Sequence, residues 1–162
     1  MLQLIFNTKL HSFDTCGEFV AEFAPGAEDL ILTNKYIYEP AFGSYGLKSR
    51  VIYQEEYGMG EPTDVMVDAI LAEAARSGCK RVIAIGGGTV LDIAKVLAVS
   101  AGEGVDALYE QAPNLTKHRE LILIPTTCGT GSEVTNIAIM ARTRLGTKLG
   151  LVGPAMYADH AV

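Results

Sequence analysis

Apolar and polar positions divide this chain into short strand patterns separated by helical ones. Four apolar runs are predicted to form strands: residues 29–33, 50–53, 81–85 and 121–124. Two other sets of residues recur at helical spacing: Val65, Ala69, Ala72 and Ala75 or Arg76, and then Val90, Ile93, Ala94, Leu97 and Ala98. Pro62 opens the first of these helical stretches and Gly78 ends it.

The alternation of strand and helix with short connections predicts an α/β fold. Residues 35–46 are predicted to form a short helix or a loop after the first strand. Strands connected through helices run parallel, and the helices then cover both faces of the sheet. We therefore expect a Rossmann-like parallel sheet flanked by helices, with residues 1–17 adding a hairpin at its edge.

The segment Gly86-Gly87-Gly88-Thr89 lies at a predicted junction of strand and helix. Glycine has no side chain to hold a phosphate away from the backbone, so main-chain N–H groups reach its oxygens there. The positive end of the helix dipole adds to the attraction. Thr89 is placed to act as the N-cap of the helix or as a hydroxyl donor to phosphate. A tight turn without a ligand is the alternative, because short glycine motifs are weakly specific.

A second turn, residues 125–133, follows the strand predicted at 121–124 and is dense in hydroxyl groups. Its candidate donors to phosphate or ribose oxygens are Thr126, Thr127, Thr130 and Ser132. The alternative is a turn whose hydroxyl groups satisfy their own backbone. Two such turns in one α/β pattern favour a ligand site in the crevice at the carboxyl ends of the strands. Together the turns predict a dinucleotide phosphate site.

The stretches 86–95 and 125–135 resemble the two signatures of the iron-activated (group III) alcohol dehydrogenases. They read Gly-Gly-Gly-Thr-Val-Leu-Asp-Ile-Ala-Lys and Pro-Thr-Thr-Cys-Gly-Thr-Gly-Ser-Glu-Val-Thr. The spacing of the signatures and the hydrophobic framework from about Leu30 onward are similar to the amino-terminal half of that family. Within the family, the sequence resembles the 4-hydroxybutyrate dehydrogenases of anaerobes. The resemblance implies a dehydroquinate synthase-like amino-terminal domain that binds NAD or NADP.

The activity that the resemblance implies is the interconversion of a small primary alcohol and its aldehyde, such as 4-hydroxybutyrate and succinate semialdehyde. Two alternatives stay open. The related 3-dehydroquinate synthases also place a glycine turn before a helix, but they are lyases. A nucleotide-binding module without chemistry of its own, acting as a sensor or partner subunit, is the other alternative.

A β-hairpin is predicted after the second turn, because apolar segments 136–141 and 147–152 flank the polar segment 142–146. The hairpin is expected at the rim of the site. In the family that the chain resembles, a lysine of this hairpin contacts the nucleotide, which makes Lys148 a candidate cofactor-binding residue. A solvated surface lysine is the alternative. Asp92 and Lys95 are expected to pair, or to brace the first turn.

Two positions depart from the family pattern. Members that use NAD often have an aspartate at the end of the first sheet strand, and here that position is Asn34. An amide still bonds a ribose but does not repel a 2′-phosphate, so Asn34 predicts weaker discrimination against NADP. The family's Asn-Pro-Thr pattern appears as Glu61-Pro62-Thr63, which puts a second cofactor contact in doubt. The choice between NAD and NADP stays open.

The family also uses a divalent metal, iron or zinc, held by one aspartate and three histidines of a helical second domain. This chain has three histidines, at positions 11, 118 and 160, and no two of them lie one helical turn apart. We therefore expect neither a complete metal site nor a catalytic residue within it. We expect residues 1–162 to form one dinucleotide-binding domain, with the family's carboxy-terminal metal-binding domain absent from this chain and the isolated fragment inactive.

Composition and charge further limit the classes of partner that we expect for this chain. A net charge of −6 without a basic run argues against nucleic acid or an anionic membrane. The chain has no apolar segment of membrane-spanning length and no signal-peptide pattern at its start, so we expect a cytoplasmic protein. Its three cysteines form no Cys-x-x-Cys pair and are expected to be reduced thiols. The expected partners are a small alcohol or aldehyde and a second copy of the chain, since the family commonly forms dimers.

Overall fold

The computed structural model describes residues 6–162, which fold into strands and helices that alternate along most of the chain. The strands are β1 (Lys9–Leu10), β2 (Asp29–Thr33), β3 (Arg50–Tyr53), β4 (Arg81–Gly86), β5 (Glu120–Pro125), β6 (Ile137–Arg142), β7 (Thr147–Val152) and β8 (His160–Ala161). The α-helices are α1 (Cys16–Phe23), α2 (Lys35–Phe42), α3 (Asp64–Ser77), α4 (Gly88–Val99) and α5 (Val105–Gln111).

Six of these strands form one parallel sheet, in the order β1-β8-β5-β4-β2-β3. The register brings the ends of neighbouring strands together. Gly86 of β4 pairs with Pro125 of β5, and Thr33 of β2 pairs with Tyr53 of β3. The loops that follow these four strands therefore begin side by side at one edge of the sheet. The predicted Rossmann-like α/β fold is confirmed.

The sheet is covered on both faces, because alternate residues of each strand point to opposite sides. One face packs against α3, α4, α5 and the β6–β7 hairpin, and it buries Leu32, Ala84 and Leu123. The other face packs against α1 and α2, and it buries Ile31 and Ile83. Both cores meet the central strands, which explains why β2 and β4 are buried almost throughout and why their middle residues are apolar.

The predicted hairpin is also present, with β6 and β7 antiparallel and separate from the main sheet. A fully buried lysine attaches this hairpin to α4. Lys95 donates from Nζ to the carbonyl oxygen of Ile137 at 2.8 Å and to the hydroxyl of Thr135 at 3.1 Å. Its third partner is Asp92, whose other carboxylate oxygen accepts from the backbone of Ile139 at 3.0 Å. The predicted pairing of Asp92 with Lys95 is thus confirmed.

The predicted amino-terminal hairpin lies partly outside the described residues, since residues 1–5 are among those it included. From Phe6 onward the structure has a single short strand, β1, which pairs in parallel with β8 at the sheet edge. The segment that follows turns into α1, whose N-cap is Thr15. The predicted edge position is confirmed for the described part of this segment, and the hairpin stays a prediction because part of it lies outside the described residues.

The helix predicted after Pro62 is α3, and Gly78 ends it in the left-handed conformation (φ 61°). The residues used to predict it do not face the core: Val65 is 61% exposed. The buried face of α3 carries Met66, Val67, Ile70, Leu71 and Ala74. Larger side chains release more apolar surface from water than alanines do, so they occupy the face toward the sheet. None of the helices in the described range is both long enough and apolar enough to span a bilayer.

Candidate dinucleotide-binding site

A pocket of about 310 Å³ opens at the carboxyl ends of β2, β3, β4 and β5. Loops that follow four adjacent parallel strands form its walls. Its lining residues are Asn34, Tyr36, Gln54, Glu55, Met59, Gly60, Gly87, Gly88, Thr89, Val90, Thr126 and Thr127. Six of them had been predicted as site residues: Asn34, Gly87, Gly88, Thr89, Thr126 and Thr127. This is the edge of a parallel α/β sheet at which ligands commonly bind.

The three consecutive glycines have different surroundings. Gly86 is buried in β4, and a Cβ atom at this position would lie 2.8 Å from the side chain of Val90. Its carbonyl oxygen accepts a hydrogen bond from the backbone of Thr126 at 3.0 Å, which links the two predicted turns. Gly86 does not line the pocket and serves close packing between β4 and α4, so its role as a cofactor contact stays a prediction.

Gly87 and Gly88 face the pocket at the start of α4. Gly87 is the N-cap residue, and in the described part of the chain no side-chain hydrogen bond caps this helix. The first N–H groups of a helix have no partner within it, and they carry the positive end of the helix dipole. The amino-terminus of α4 therefore presents backbone donors to the pocket, and the absence of side chains at Gly87 and Gly88 leaves them accessible to an anion.

Thr89 lies inside the first turn of α4, so its prediction as the N-cap was wrong. The helix begins earlier because Gly87 has extended backbone angles (φ −79°, ψ −177°) that suit an N-cap. The hydroxyl of Thr89 donates to the carbonyl oxygen of Gly60 at 3.2 Å. Thr89 still lines the pocket, and its direct contact with phosphate stays a prediction.

The second predicted turn forms the wall opposite Gly87 and Gly88. Thr127 lies closest to Gly87, with its hydroxyl 3.4 Å from where a Cβ atom of Gly87 would be. The side chain of Thr130 is 3.2 Å from the corresponding point at Gly88, and Ser132 lies just beyond it. The Thr130 hydroxyl accepts from the backbone of Ser132 at 3.4 Å, as expected of a turn that satisfies its own backbone. Thr126 and Thr127 line the pocket, whereas Thr130 and Ser132 are not among its lining residues, and their contact with the cofactor stays a prediction.

Asn34 lines the pocket directly after β2, and it belongs to a group of hydrogen-bonded side chains that the sequence did not predict. Its amide donates to Glu55 Oε2 at 2.8 Å and to Gln54 Oε1 at 3.2 Å. Glu55 Oε1 accepts from the backbone N–H of Lys35 at 2.7 Å, at the start of α2. Asn34 and Gln54 are buried, while Glu55 is half-buried and lines the pocket.

The carboxylate of Glu55 is the charged group in this part of the pocket. Burial acts to raise its pKa, but hydrogen bonds from the Lys35 backbone, its own backbone and the Asn34 amide outweigh burial and lower the pKa below its ordinary value. Glu55 is therefore ionised at neutral pH. Its position was predictable in principle: it follows β3 as Asn34 follows β2, and parallel strands bring such positions together.

Lys148 lies on β7, and it is not among the residues that line the pocket. Its Nζ atom is 2.7 Å from Glu61 Oε1, in an exposed ion pair. Lys148, the candidate cofactor-binding lysine, thus contacts Glu61, the residue that departs from the family's Asn-Pro-Thr pattern. A role for Lys148 in cofactor binding stays a prediction.

The described residues contain no group of three or more His, Cys, Asp or Glu side chains arranged to hold a metal ion. Two of the three histidines do meet, since His11 Nε2 lies 2.8 Å from His160 Nδ1 across β1 and β8. Neither lines the pocket. Cys128 is exposed in the second turn, and the structure leaves it as a free thiol.

A parallel α/β sheet with a glycine-lined helix terminus at its carboxyl edge defines a nucleotide-binding class of protein. The family model for iron-containing alcohol dehydrogenase matches residues 9–162. This chain therefore belongs to the iron-containing alcohol dehydrogenase family, as its two signature segments predicted.

Individual relatives agree with this assignment. The 4-hydroxybutyrate dehydrogenase of Clostridium kluyveri is 41% identical over 153 residues, which cover 94% of this chain and 41% of the relative. The sulfoacetaldehyde reductase of Bilophila wadsworthia is 41% identical over 106 residues, covering 63% of this chain and 27% of the relative. The chain therefore spans well under half the length of these relatives.

Solved structures show the same fold. The sulfoacetaldehyde reductase from Bifidobacterium kashiwanohense, solved in complex with NAD+, has a TM-score of 0.79 at 21% identity. The alignment covers 99% of this chain and 45% of that structure. The NADH-dependent butanol dehydrogenase A of Thermotoga maritima has a TM-score of 0.75 at 18% identity, covering 99% of this chain and 43% of that structure.

Proposed function

We propose that residues 1–162 form the dinucleotide-binding domain of a metal-dependent NAD(P) alcohol dehydrogenase. The whole enzyme interconverts a small primary alcohol and its aldehyde. We favour 4-hydroxybutyrate and succinate semialdehyde because the Clostridium kluyveri relative, which aligns with most of this chain, is a 4-hydroxybutyrate dehydrogenase. One observation carries the proposal: in a chain of this family, the uncapped amino-terminus of α4 opens through Gly87 and Gly88 into the pocket.

The residues of the pocket fit a dinucleotide. Backbone N–H groups in the first turn of α4 bind the pyrophosphate, which the helix dipole attracts. Thr126 and Thr127 line the facing wall, and their hydroxyl groups add donors to phosphate or ribose oxygens. When bound, the nicotinamide ring supplies the hydride chemistry, and the pocket supplies binding and orientation.

The described residues do not fit the metal of the family, as they include no group of ligands for it. The resemblance places the ligands for iron or zinc in the family's carboxy-terminal helical domain. We accordingly assign no catalytic residue to this chain. The proposal retains the homodimer that the resemblance implies.

The phosphate site is tested by the substitution Gly87→Asp. The backbone of Gly87 (φ −79°) suits any residue, and a Cβ atom there meets Thr127 no closer than 3.4 Å. We therefore expect the variant to fold, while its carboxylate occupies the pocket and repels the pyrophosphate. NADH affinity, measured by titration calorimetry on the protein as its gene encodes it, should fall by about a hundredfold or more, since like charges in contact cost several kcal/mol.

The control is Ala72→Asp, which adds the same charge on the exposed face of α3. It should bind NADH as tightly as the unsubstituted protein, here called the parent, does. Parental affinity in Gly87→Asp would place the phosphates elsewhere.

The proposed activity is tested separately, by following NADH formation with 4-hydroxybutyrate, ethanol and butanol in the presence of iron or zinc. Failure of all three alcohols would overturn the proposed reaction.

A further inference from the structure

We infer that Glu55 makes this protein selective for NAD over NADP. The inference rests on the proposed function, since it concerns the ribose end of the proposed dinucleotide pocket. Asn34 alone predicts weak discrimination between the two cofactors, because a neutral amide does not repel a 2′-phosphate. The fold places the carboxylate of Glu55 within hydrogen-bond distance of that amide. A negative charge that is missing from the end of β2 is thus supplied from the end of β3.

The orientation of this group is fixed by a chain of hydrogen bonds. The carbonyl oxygen of Gly58 can only accept, so the side chain of Gln54 donates to it at 2.9 Å and turns its own oxygen toward Asn34. Asn34 must then direct its NH2 group at two acceptors, Gln54 Oε1 and Glu55 Oε2. An asparagine amide has two N–H donors, and both are used. Toward a ligand, Asn34 and Glu55 therefore offer acceptors.

Acceptors of this kind fit the hydroxyl groups of a ribose. In parallel α/β sheets that bind dinucleotides, an acidic side chain near the glycine loop typically accepts a hydrogen bond from the 2′-hydroxyl of the adenosine ribose. Tyr36 and Met59 line the same pocket and are largely exposed, at 75% and 84%. Their apolar surfaces are suited to cover an adenine ring.

A 2′-phosphate is disfavoured at this position. At neutral pH it brings negative charge and no hydrogen-bond donor toward the half-buried carboxylate of Glu55, so the two groups repel each other. Within residues 6–162, the side chains that line the pocket include Glu55 and no lysine or arginine. Lys35 is the basic residue that could instead attract a 2′-phosphate. It donates its backbone N–H to Glu55, and its ammonium group also lowers the pKa of that carboxyl. Its side chain is exposed outside the pocket lining. The geometry thus favours NAD.

The test measures the dissociation constants of NADH and NADPH for the parent, Glu55→Gln and Glu56→Gln. It uses the protein as its gene encodes it. Glutamine keeps an oxygen that can accept from the Lys35 backbone, so the contact at the start of α2 is retained and the variant is expected to fold. We expect the parent to bind NADH at least about tenfold more tightly than NADPH, since 1.4 kcal/mol is a factor of ten. Glu55→Gln should reduce that ratio by about tenfold, through tighter NADPH and weaker NADH binding.

Glu56 is the matched control, because it is adjacent, exposed and absent from the pocket lining. Its glutamine variant should keep the parental ratio. An unchanged ratio in Glu55→Gln, or a loss shared equally by both nucleotides, would overturn the inference. A parent that prefers NADPH would also overturn it and would point to Lys35.

A second measurement needs only the parent. ADP-ribose should compete with NADH at least about tenfold better than its 2′-phosphorylated form, since the discrimination is located at the 2′ position. Equal competition would overturn the inference even if Glu55→Gln failed to fold. Binding of neither nucleotide to the parent would overturn the proposed function itself, so the two failures are distinguishable.

Discussion

Lys95 is the largest fully buried side chain in the described part of this chain. A buried charge is tolerated only when it is paired and hydrogen-bonded. Lys95 meets this condition through Asp92, Thr135 and the carbonyl oxygen of Ile137. Burial lowers the pKa of Lys95, while the charge of Asp92 opposes this effect. The residue thus attaches the hairpin and the segment that follows the second turn to the helix that carries Gly88.

Replacing Lys95 with methionine should destabilise the protein by about 3 kcal/mol, because it leaves the carboxylate of Asp92 without its cation. Urea unfolding at neutral pH measures the loss. The control is Lys148→Met, which removes an exposed ion pair with Glu61 and should cost less than about 1 kcal/mol. Equal costs for the two variants would show that the buried contacts of Lys95 do not stabilise the fold.

The contact between α3 and the β6–β7 hairpin depends on a second buried charge. Asp64, the first residue of α3, is fully buried and accepts hydrogen bonds from the hydroxyl of Thr143 and from the backbone and guanidinium group of Arg144. Burial acts to raise the pKa of Asp64, but these hydrogen bonds outweigh it and hold the pKa well below its usual range. The helix and the hairpin turn are therefore connected by an ionised carboxylate.

This connection should make stability depend on pH. Because the pKa of Asp64 is lower in the folded state, its contribution is complete above the unfolded value of about 4 and is lost as pH falls further. Asp64→Asn should cost about 2 kcal/mol at pH 7 and show a smaller loss of stability in acid than the parent. Urea unfolding from pH 7 to pH 3 measures both effects.

The control for this substitution is Asp14→Asn, which changes an exposed carboxylate near the start of α1. It should leave the stability at pH 7 and its acid dependence close to those of the parent. If Asp64→Asn showed the full acid dependence of the parent, another carboxylate would be responsible for it.

Across the whole chain, stability should be concentrated in the central strands of the sheet. Ile83 lies on β4, between β2 and β5, and is fully buried in the core that faces α1 and α2. Ile83→Ala should therefore cost about 3 kcal/mol, from lost burial and the cavity left behind. Val65→Ala, on the exposed face of α3, should stay within about 0.5 kcal/mol of the parent. Comparable costs in urea unfolding would contradict the arrangement of the core.

The sequence predicted most of the fold because strand and helix patterns are local. The predicted bounds of β2 and β3 coincide with those observed, and the hairpin differs from its prediction by about one residue at each end of β6. It also predicted that Gly87, Gly88, Thr126 and Thr127 would meet, because loops that follow neighbouring parallel strands share an edge. The prediction for α3 found the helix but not its buried face, since small apolar residues occur on both sides of it.

The sequence by itself determined the order of strands and helices, the glycine junction and the family. Each of these depends on residues that are close together in the sequence, because hydrophobic periodicity and the backbone freedom of glycine are local properties. Only the tertiary structure decided that Glu55 meets Asn34, that Gly86 packs on Val90 while Gly87 faces the pocket, and that Lys95 is buried under the hairpin. The physical reason is that hydrogen bonds and burial depend on which strands become neighbours, and that order is set by packing between distant segments.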